Sequence, residues 1–249
     1  VAQPALFATS LALDELARQA GVRPAFVAGH SLGEWTAAVA AGALQLEDGM
    51  RLVCERGRLM AAAQEERPGS MAALGGLADG DLKKLCEDAS ADGVVVPANF
   101  NSPGQVVISG DSAAVARAME LAREAGGRAM PLRVGAAFHS PLMEDAHARL
   151  RELLEDVEVR DAEVPIAANA RGALVSGGDE VRAALVEQIV SPVRWVDCVQ
   201  ALAAAGCRHM VELGPGRVLT GLARKIDATL DVTQVDSPDG LAGVAAYVA

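Results

Sequence analysis

The chain has 249 residues, 51% hydrophobic and 22% charged, which suits one large domain or a large one with a smaller insert and argues against disorder. A net charge of −11 at pH 7 excludes nucleic acid as the main partner, because phosphate binding needs a basic surface. No apolar run approaches the ~18 residues of a membrane span, so no membrane association is expected.

Four cysteines, Cys54, Cys86, Cys198 and Cys207, have no CxxC pairing or regular spacing. They read as free thiols in a reducing, cytoplasmic setting, with no metal site. No signal peptide is recognisable, and the chain opens at Val1 directly in a helical pattern, as a fragment of a longer chain would.

Residues 5–20 have the spacing of an amphipathic helix ended by Gly21, and "AFVAG" (25–29) that of a short buried strand. Helices follow from Leu32 to about Ala43 and over 46–66, the second with Glu47 and Asp48 where the helix dipole favours acids. The rhythm then changes: strand "SMAALGGL", helix 79–91, strand "VVVPANF", a turn at 101–104, strand "GQVVISG", helix 112–125, strand 128–134. This β-α-β-β-α-β order is the split βαβ, ferredoxin-like unit, and 67–134 is assigned to it as an insert. Alternation then resumes with helix 141–155, strand 164–169, helices 179–190 and 193–205, strand 208–213, helix 216–227 and strand 231–235. Residues 1–66 and 135–249 are therefore expected to form one large α/β domain around a mostly parallel sheet.

In "GHSLGEW" (29–35) a strand, a Gly-X-Ser-X-Gly turn and a helix fall in register, the setting of a nucleophile elbow. The turn would lift Ser31 out of the sheet, and the N–H of Leu32 would serve as a first oxyanion donor. A serine needs a base. His30 is its neighbour on a sharp turn and His147 lies in a polar helix, which leaves His139, where "GAAFHSP" meets a helix capped by Ser140 and Pro141, or His209, which opens a late strand. The Gln188 carbonyl, four residues before Pro192, lacks its helical donor and is free either for an imidazole N–H or for a solvent cap. On the wheel of helix 46–66, Arg56 falls inside the apolar arc between Leu52 and Met60. A buried guanidinium needs an anion, either a structural carboxylate or an acidic substrate.

"AQPAL", "GHSLGEW", "ERG" around Arg56, "NFNSPGQVVISG", "AAFHSPLM", "SPVRW" and "ELGPGRVLTGL" together resemble the malonyl-CoA:acyl carrier protein transacylases of fatty-acid synthesis and the related acyltransferase domains of polyketide synthases. The resemblance implies an α/β-hydrolase-like large domain with the ferredoxin-like insert. It further implies that Ser31 carries the acyl group, His139 is its base, and the Gln188 backbone carbonyl stands in for the usual acid. Arg56 would hold the malonyl carboxylate, with Asn101, Phe138, Met60 and His30 completing the substrate-binding set; the "AFH" at 137–139 resembles the malonyl rather than the methylmalonyl version. The implied reaction is a ping-pong transfer from malonyl-CoA to the phosphopantetheine thiol of acyl carrier protein, by a monomer without cofactor. Arg217, Arg224 and Lys225 are candidates for docking the acidic carrier. "VAQPAL" matches a point well inside the family's chain, so the family's first strand and its "GQGSQ"-type loop, with the second oxyanion donor, have no counterpart in this sequence. The expectation is an incomplete chain. The rival readings are a serine hydrolase using Ser31 and His209, and a non-enzymatic carrier-docking module.

Overall fold

The computed structural model describes residues 2–244 as a mixed α/β fold. Helix α1 (Ala2–Gln19) already runs at Ala2, earlier than the expected start. Pro4 is accommodated because a first-turn residue loses no ladder bond by lacking an N–H. Strand β1 is reduced to Val27–Ala28 and is half-buried. Helices α2 (Leu32–Ala40) and α3 (Leu46–Glu66) follow, α2 ending short of the expected Ala43. Gly49 lets α3 approach closely: a Cβ there would lie 2.6 Å from Val39 Cγ2 and 3.0 Å from Phe7 Cζ.

The next six elements are β2 (Ser70–Gly75), α4 (Asp79–Ala89), β3 (Val95–Ser102), β4 (Gln105–Gly110), α5 (Ser112–Glu124) and β5 (Arg128–Pro131). Their four strands form one antiparallel sheet in the order β3-β4-β2-β5. Leu82 and Leu85 of α4 and Val115 and Ala118 of α5 cover one face of it, closing on Ile108 and Leu74. The turn expected at 101–104 is tighter, because β3 runs on through Ser102 and leaves Pro103 and Gly104 at the bend.

The remaining elements are α6 (Glu144–Glu155), β6 (Ile166–Ala168), β7 (Ala173–Val175), α7 (Gly178–Glu187), α8 (Trp195–Ala204), β8 (His209–Leu213), α9 (Val218–Ile226) and β9 (Asp231–Val235). β6 pairs parallel with β1, and β8 parallel with β9. The single sheet anticipated for this part is thus two sheets among the described residues, and β7 is an antiparallel partner of β6 that the pattern did not anticipate. Gly172 makes that hairpin, with φ of 61° and its N–H on the Ala168 carbonyl at 2.8 Å. Helix α7 stops at Glu187 rather than at 190.

Phe7, Trp35, Leu52, Leu150, Leu154, Ile166 and Ile189 form the main core between α1, α2, α3, α6, α7 and β6. Each such side chain contributes about 1.5–3 kcal/mol of transfer free energy on burial. A second core joins Trp195, Val199 and Leu202 of α8 to Leu222 and Val232. The four-stranded sheet is tied to this part through main chain: Phe100 N–H donates to Val193 O at 2.9 Å, and Val193 N–H to Ala98 O at 2.8 Å. No helix among the described residues is long and apolar enough to cross a membrane.

Candidate active site

β1 delivers the chain into the turn at Ser31, and α2 carries it away. Ser31 has φ of 51° and ψ of −104°, a conformation costly for a residue with a Cβ and typical of functional turns. Gly29 makes the turn possible, since a Cβ there would sit 2.0 Å from Gly33 C and 2.1 Å from Gly33 O. Gly33 differs: a Cβ on it would meet nothing within 4 Å. Leu32 is the first residue of α2, so its N–H lies outside the helical ladder.

Among the described residues, His139 is the other non-glycine with positive φ, at 58°. Ser140 holds it there, its hydroxyl donating to Ala137 O at 2.6 Å and accepting from Leu142 N–H at 3.2 Å. His139 Nε2 lies 2.8 Å from Ser31 Oγ, and Nδ1 lies 2.9 Å from the Gln188 carbonyl. A carbonyl only accepts, which assigns the proton to Nδ1 and leaves Nε2 to accept from the serine hydroxyl. Burial, and then the Arg56 charge, lower the His139 pKa to about 3 against the pull of the Gln188 carbonyl, so the imidazole is neutral at physiological pH. His209, the competing histidine, pairs instead with Asp231 at 3.4 Å on an exposed strand end, and His147 contacts Glu144 at 3.1 Å.

Arg56 is 1% exposed, as its place on the apolar arc of α3 requires. The structural-carboxylate alternative is not met: no carboxylate among the described residues lies within ion-pair distance of it. Its Nη2 donates to Ser31 Oγ at 2.9 Å and to Gln188 Oε1 at 3.0 Å, its Nη1 to Gln3 Oε1 at 2.6 Å, and its buried Nε has no partner among the described residues. Burial lowers its pKa to about 10, opposed by the more distant Glu34 charge, so it stays cationic.

Around this centre lie contacts that sequence reasoning missed. Glu34 (1% exposed) and Asn169 (0%) are buried behind the turn. Asn169 Oδ1 accepts from Ser31 N–H at 2.7 Å, and its Nδ2 donates to Gly29 O at 2.8 Å. The Gln188 side chain was unforeseen although its carbonyl was not: Nε2 donates to Ser31 O at 2.8 Å and to Glu34 Oε2. Gln3 of the "AQPAL" stretch reaches Met60 Sδ at 3.5 Å besides Arg56.

The other anticipated binding residues divide. His30 Nε2 meets Asn101 Oδ1 at 2.9 Å, and its ring packs tilted on Trp195 at 5.6 Å, which joins β3 to the rim of the turn. Burial lowers the His30 pKa, opposed by Asn101. Phe138 is half-buried against both the main core and the underside of the small sheet. Met60 is buried and meets Gln3, which in turn holds Arg56. Arg217, Arg224 and Lys225 are exposed on and beside α9; Arg224 caps Val232 O at 2.8 Å, and Lys225 contacts Gln105 of β4 at 3.4 Å. No group of three or more His, Cys, Asp or Glu able to hold a metal ion occurs among the described residues.

A family model described as acyl transferase domain matches residues 1–237. The chain is 43% identical to the malonyl CoA-acyl carrier protein transacylase of Escherichia coli K12 over 242 residues, covering 96% of this chain and 78% of that protein. It is 41% identical to the enzyme of the same name from Bacillus subtilis 168, covering 96% and 76%. The crystal structure of malonyl-CoA:acyl carrier protein transacylase from Xanthomonas oryzae superimposes with a TM-score of 0.94 at 46% identity, over 99% of this chain and 79% of that one. A type II PKS acyl-carrier protein in complex with its malonyl-transacylase gives 0.95 at 38% identity, over 99% and 80%.

Proposed function

The chain belongs to the acyl transferase domain family, and from that premise we propose that it moves a malonyl group from malonyl-CoA to the phosphopantetheine thiol of acyl carrier protein. The observation that carries this reading is the pair of contacts on one oxygen. Ser31 Oγ is 2.8 Å from a neutral imidazole and 2.9 Å from a guanidinium that no carboxylate contacts among the described residues. A nucleophile beside an unmatched fixed cation suits an acyl group that ends in its own carboxylate.

His139 Nε2 takes the hydroxyl proton as Ser31 Oγ attacks the thioester carbonyl, and Leu32 N–H faces the developing oxyanion. Collapse breaks the C–S bond, His139 returns its proton to the departing CoA sulfur, and malonyl-Ser31 remains. The carrier thiol then gives its proton to His139, its sulfur attacks the ester, and Ser31 Oγ leaves with that proton. A malonyl carboxylate on Arg56 would cancel the positive charge that depresses His139, strengthening the base when the right acyl group is bound. The fold reading is an α/β-hydrolase-like domain over 1–66 and 135–249 with a ferredoxin-like subdomain over 67–134; the order β3-β4-β2-β5, with α4 and α5 on one face, supports it. Carrier docking at Arg217, Arg224 and Lys225 is supported by their exposure on an otherwise acidic chain.

Intact-mass spectrometry after brief exposure to malonyl-CoA tests the reading. A single malonyl adduct is expected, absent from Ser31→Ala and discharged by carrier protein faster than by water. An unmodified wild-type chain, or rapid release of free malonate in place of transfer, would overturn it.

A further inference from the structure

The buried polar cluster behind the Ser31 turn contains one ionisable group to which the transfer mechanism gives no task, Glu34. Its two oxygens face two different donors: Oε1 accepts from Asn169 N–H at 3.2 Å, and Oε2 from Gln188 Nε2. The Gln188 amide is saturated in turn. Its nitrogen gives both protons, to Glu34 and to Ser31 O at 2.8 Å, while its oxygen takes Arg56 Nη2 at 3.0 Å and Trp35 Nε1 at 3.3 Å. Arginine and the indole nitrogen only donate, whereas a carbonyl and a carboxylate oxygen only accept, so the amide fits one way round. Turning it over would set a donor against Arg56 and Trp35 and an acceptor against Ser31 O.

We propose that Glu34 is a positioning residue for acyl selection: its carboxylate fixes the orientation of the Gln188 side-chain amide, and through it the aim of Arg56. The cluster is in effect an ion pair with an amide inserted. The guanidinium has a counter-charge inside the protein, yet that charge stands one residue back and does not occupy the carboxylate-binding edge. Direct contact between Glu34 and Arg56 would satisfy the cation and close the site to an acidic acyl group. The inserted amide supplies part of the compensation that burial demands and leaves the Arg56 Nε without a partner among the described residues. The same carboxylate, by holding Asn169 N–H, steadies the side chain that accepts from Ser31 N–H at 2.7 Å. The part concerning acyl groups rests on the transferase reading above.

An isosteric glutamine at position 34 cannot replace the carboxylate, because one end of its amide must present a donor to a donor, at Asn169 or at Gln188. Two readouts test this in Glu34→Gln. The first needs no substrate: the chain has two tryptophans, and the Trp35 indole N–H resonance, assigned with Trp35→Phe, is expected to shift as its bond to Gln188 is lost. The second is single-turnover acylation of Ser31 by malonyl-CoA and by acetyl-CoA, followed by intact mass. The ratio of the two rates is expected to fall roughly tenfold or more, with the acetyl rate altered less than about threefold. An unmoved indole resonance, or malonyl and acetyl rates that change in proportion, would overturn the proposal. If Glu34→Gln does not fold, Gln188→Leu decides: it keeps the backbone carbonyl on His139 and must lower the same ratio, and an unchanged ratio there counts against Glu34. A wild-type chain that takes no malonyl group would remove the transferase reading, while the indole shift would still decide whether Glu34 orients Gln188.

Discussion

The molecule carries two polar constellations, and they obey different rules. Behind Ser31, the side chains of Glu34, Arg56, Asn169 and Gln188 are all at most 1% exposed, and nearly every donor meets an acceptor that chemistry compels. On and beside α9, Arg217, Arg224 and Lys225 stand in solvent, with contacts to Val232 O and to Gln105 that water could replace. Buried groups are costly to leave unmatched, about 1–3 kcal/mol each and more when charged, whereas exposed charges act weakly and through a salt-screened field. Substitutions in the first set should therefore be severe and largely independent of salt, and those in the second mild and salt-sensitive.

The largest effects lie at the reacting atoms. Ser31→Ala should abolish the adduct, and His139→Ala should slow acylation by about 10³-fold or more, both read by intact mass. Arg56→Ala comes next. It should cost malonyl transfer about 2–5 kcal/mol while sparing acetyl transfer, measured as kcat/KM for each thioester; equal losses for both would mean that the buried set acts as scaffold alone.

The pH dependence of stability separates two members of the buried region. His139, near 3 when folded against 6.5 for the free group, binds its proton first in the unfolded chain, so it removes stability as pH falls from about 6.5 towards 3. Burial pushes Glu34 the opposite way, up from its ordinary 4.5, against the pull of Gln188, Asn169 and Arg56, while a donor on each oxygen keeps the carboxylate the form present at neutral pH. The folded chain therefore keeps that proton longer than the unfolded one, and stability falls as pH rises from about 4.5 through the raised value. Thermal scans should show the acid limb flattened in His139→Ala and that fall flattened in Glu34→Gln. If the fall survives in Glu34→Gln, it belongs to another group.

The smallest effect is on the surface. Charge reversal at Arg224 and Lys225 should raise the apparent KM for carrier protein by about three- to tenfold at low salt and by less at 0.5 M salt, with malonyl-CoA acylation unchanged. A salt-independent loss would move α9 into the first class and break the contrast.

The same division governs what could be read from the sequence. Long elements with a clear period, such as α3, came out at their observed limits, while the two residues of β1 and the three of β7 exist mainly through their pairing with β6. Ser31 and His139 stood out because each sits at a junction whose local chemistry is written in neighbouring residues, and Arg56 because a cation interrupts an apolar arc. Pro192 drew attention to the Gln188 carbonyl. Glu34 offered the same kind of signal as Arg56, a charge inside the mostly apolar helix "LGEWTAAVA", and the test used for α3 would have found it on α2. Asn169 and the Gln188 amide had no such marker, since their contacts with the Ser31 turn span 138 and 157 positions and arise only when the chain is folded.

The left-handed backbone at Ser31 also limits which atoms can replace its oxygen. At φ of 51° a β-branched side chain is a conformational outlier, so threonine would keep the hydroxyl and forfeit the turn. Cysteine has the same branching as serine and fits, but it would set a thiolate-forming sulfur against a neutral imidazole and a fixed cation. A working nucleophile at this position is thereby confined to a choice of element, oxygen or sulfur, on an unbranched stem.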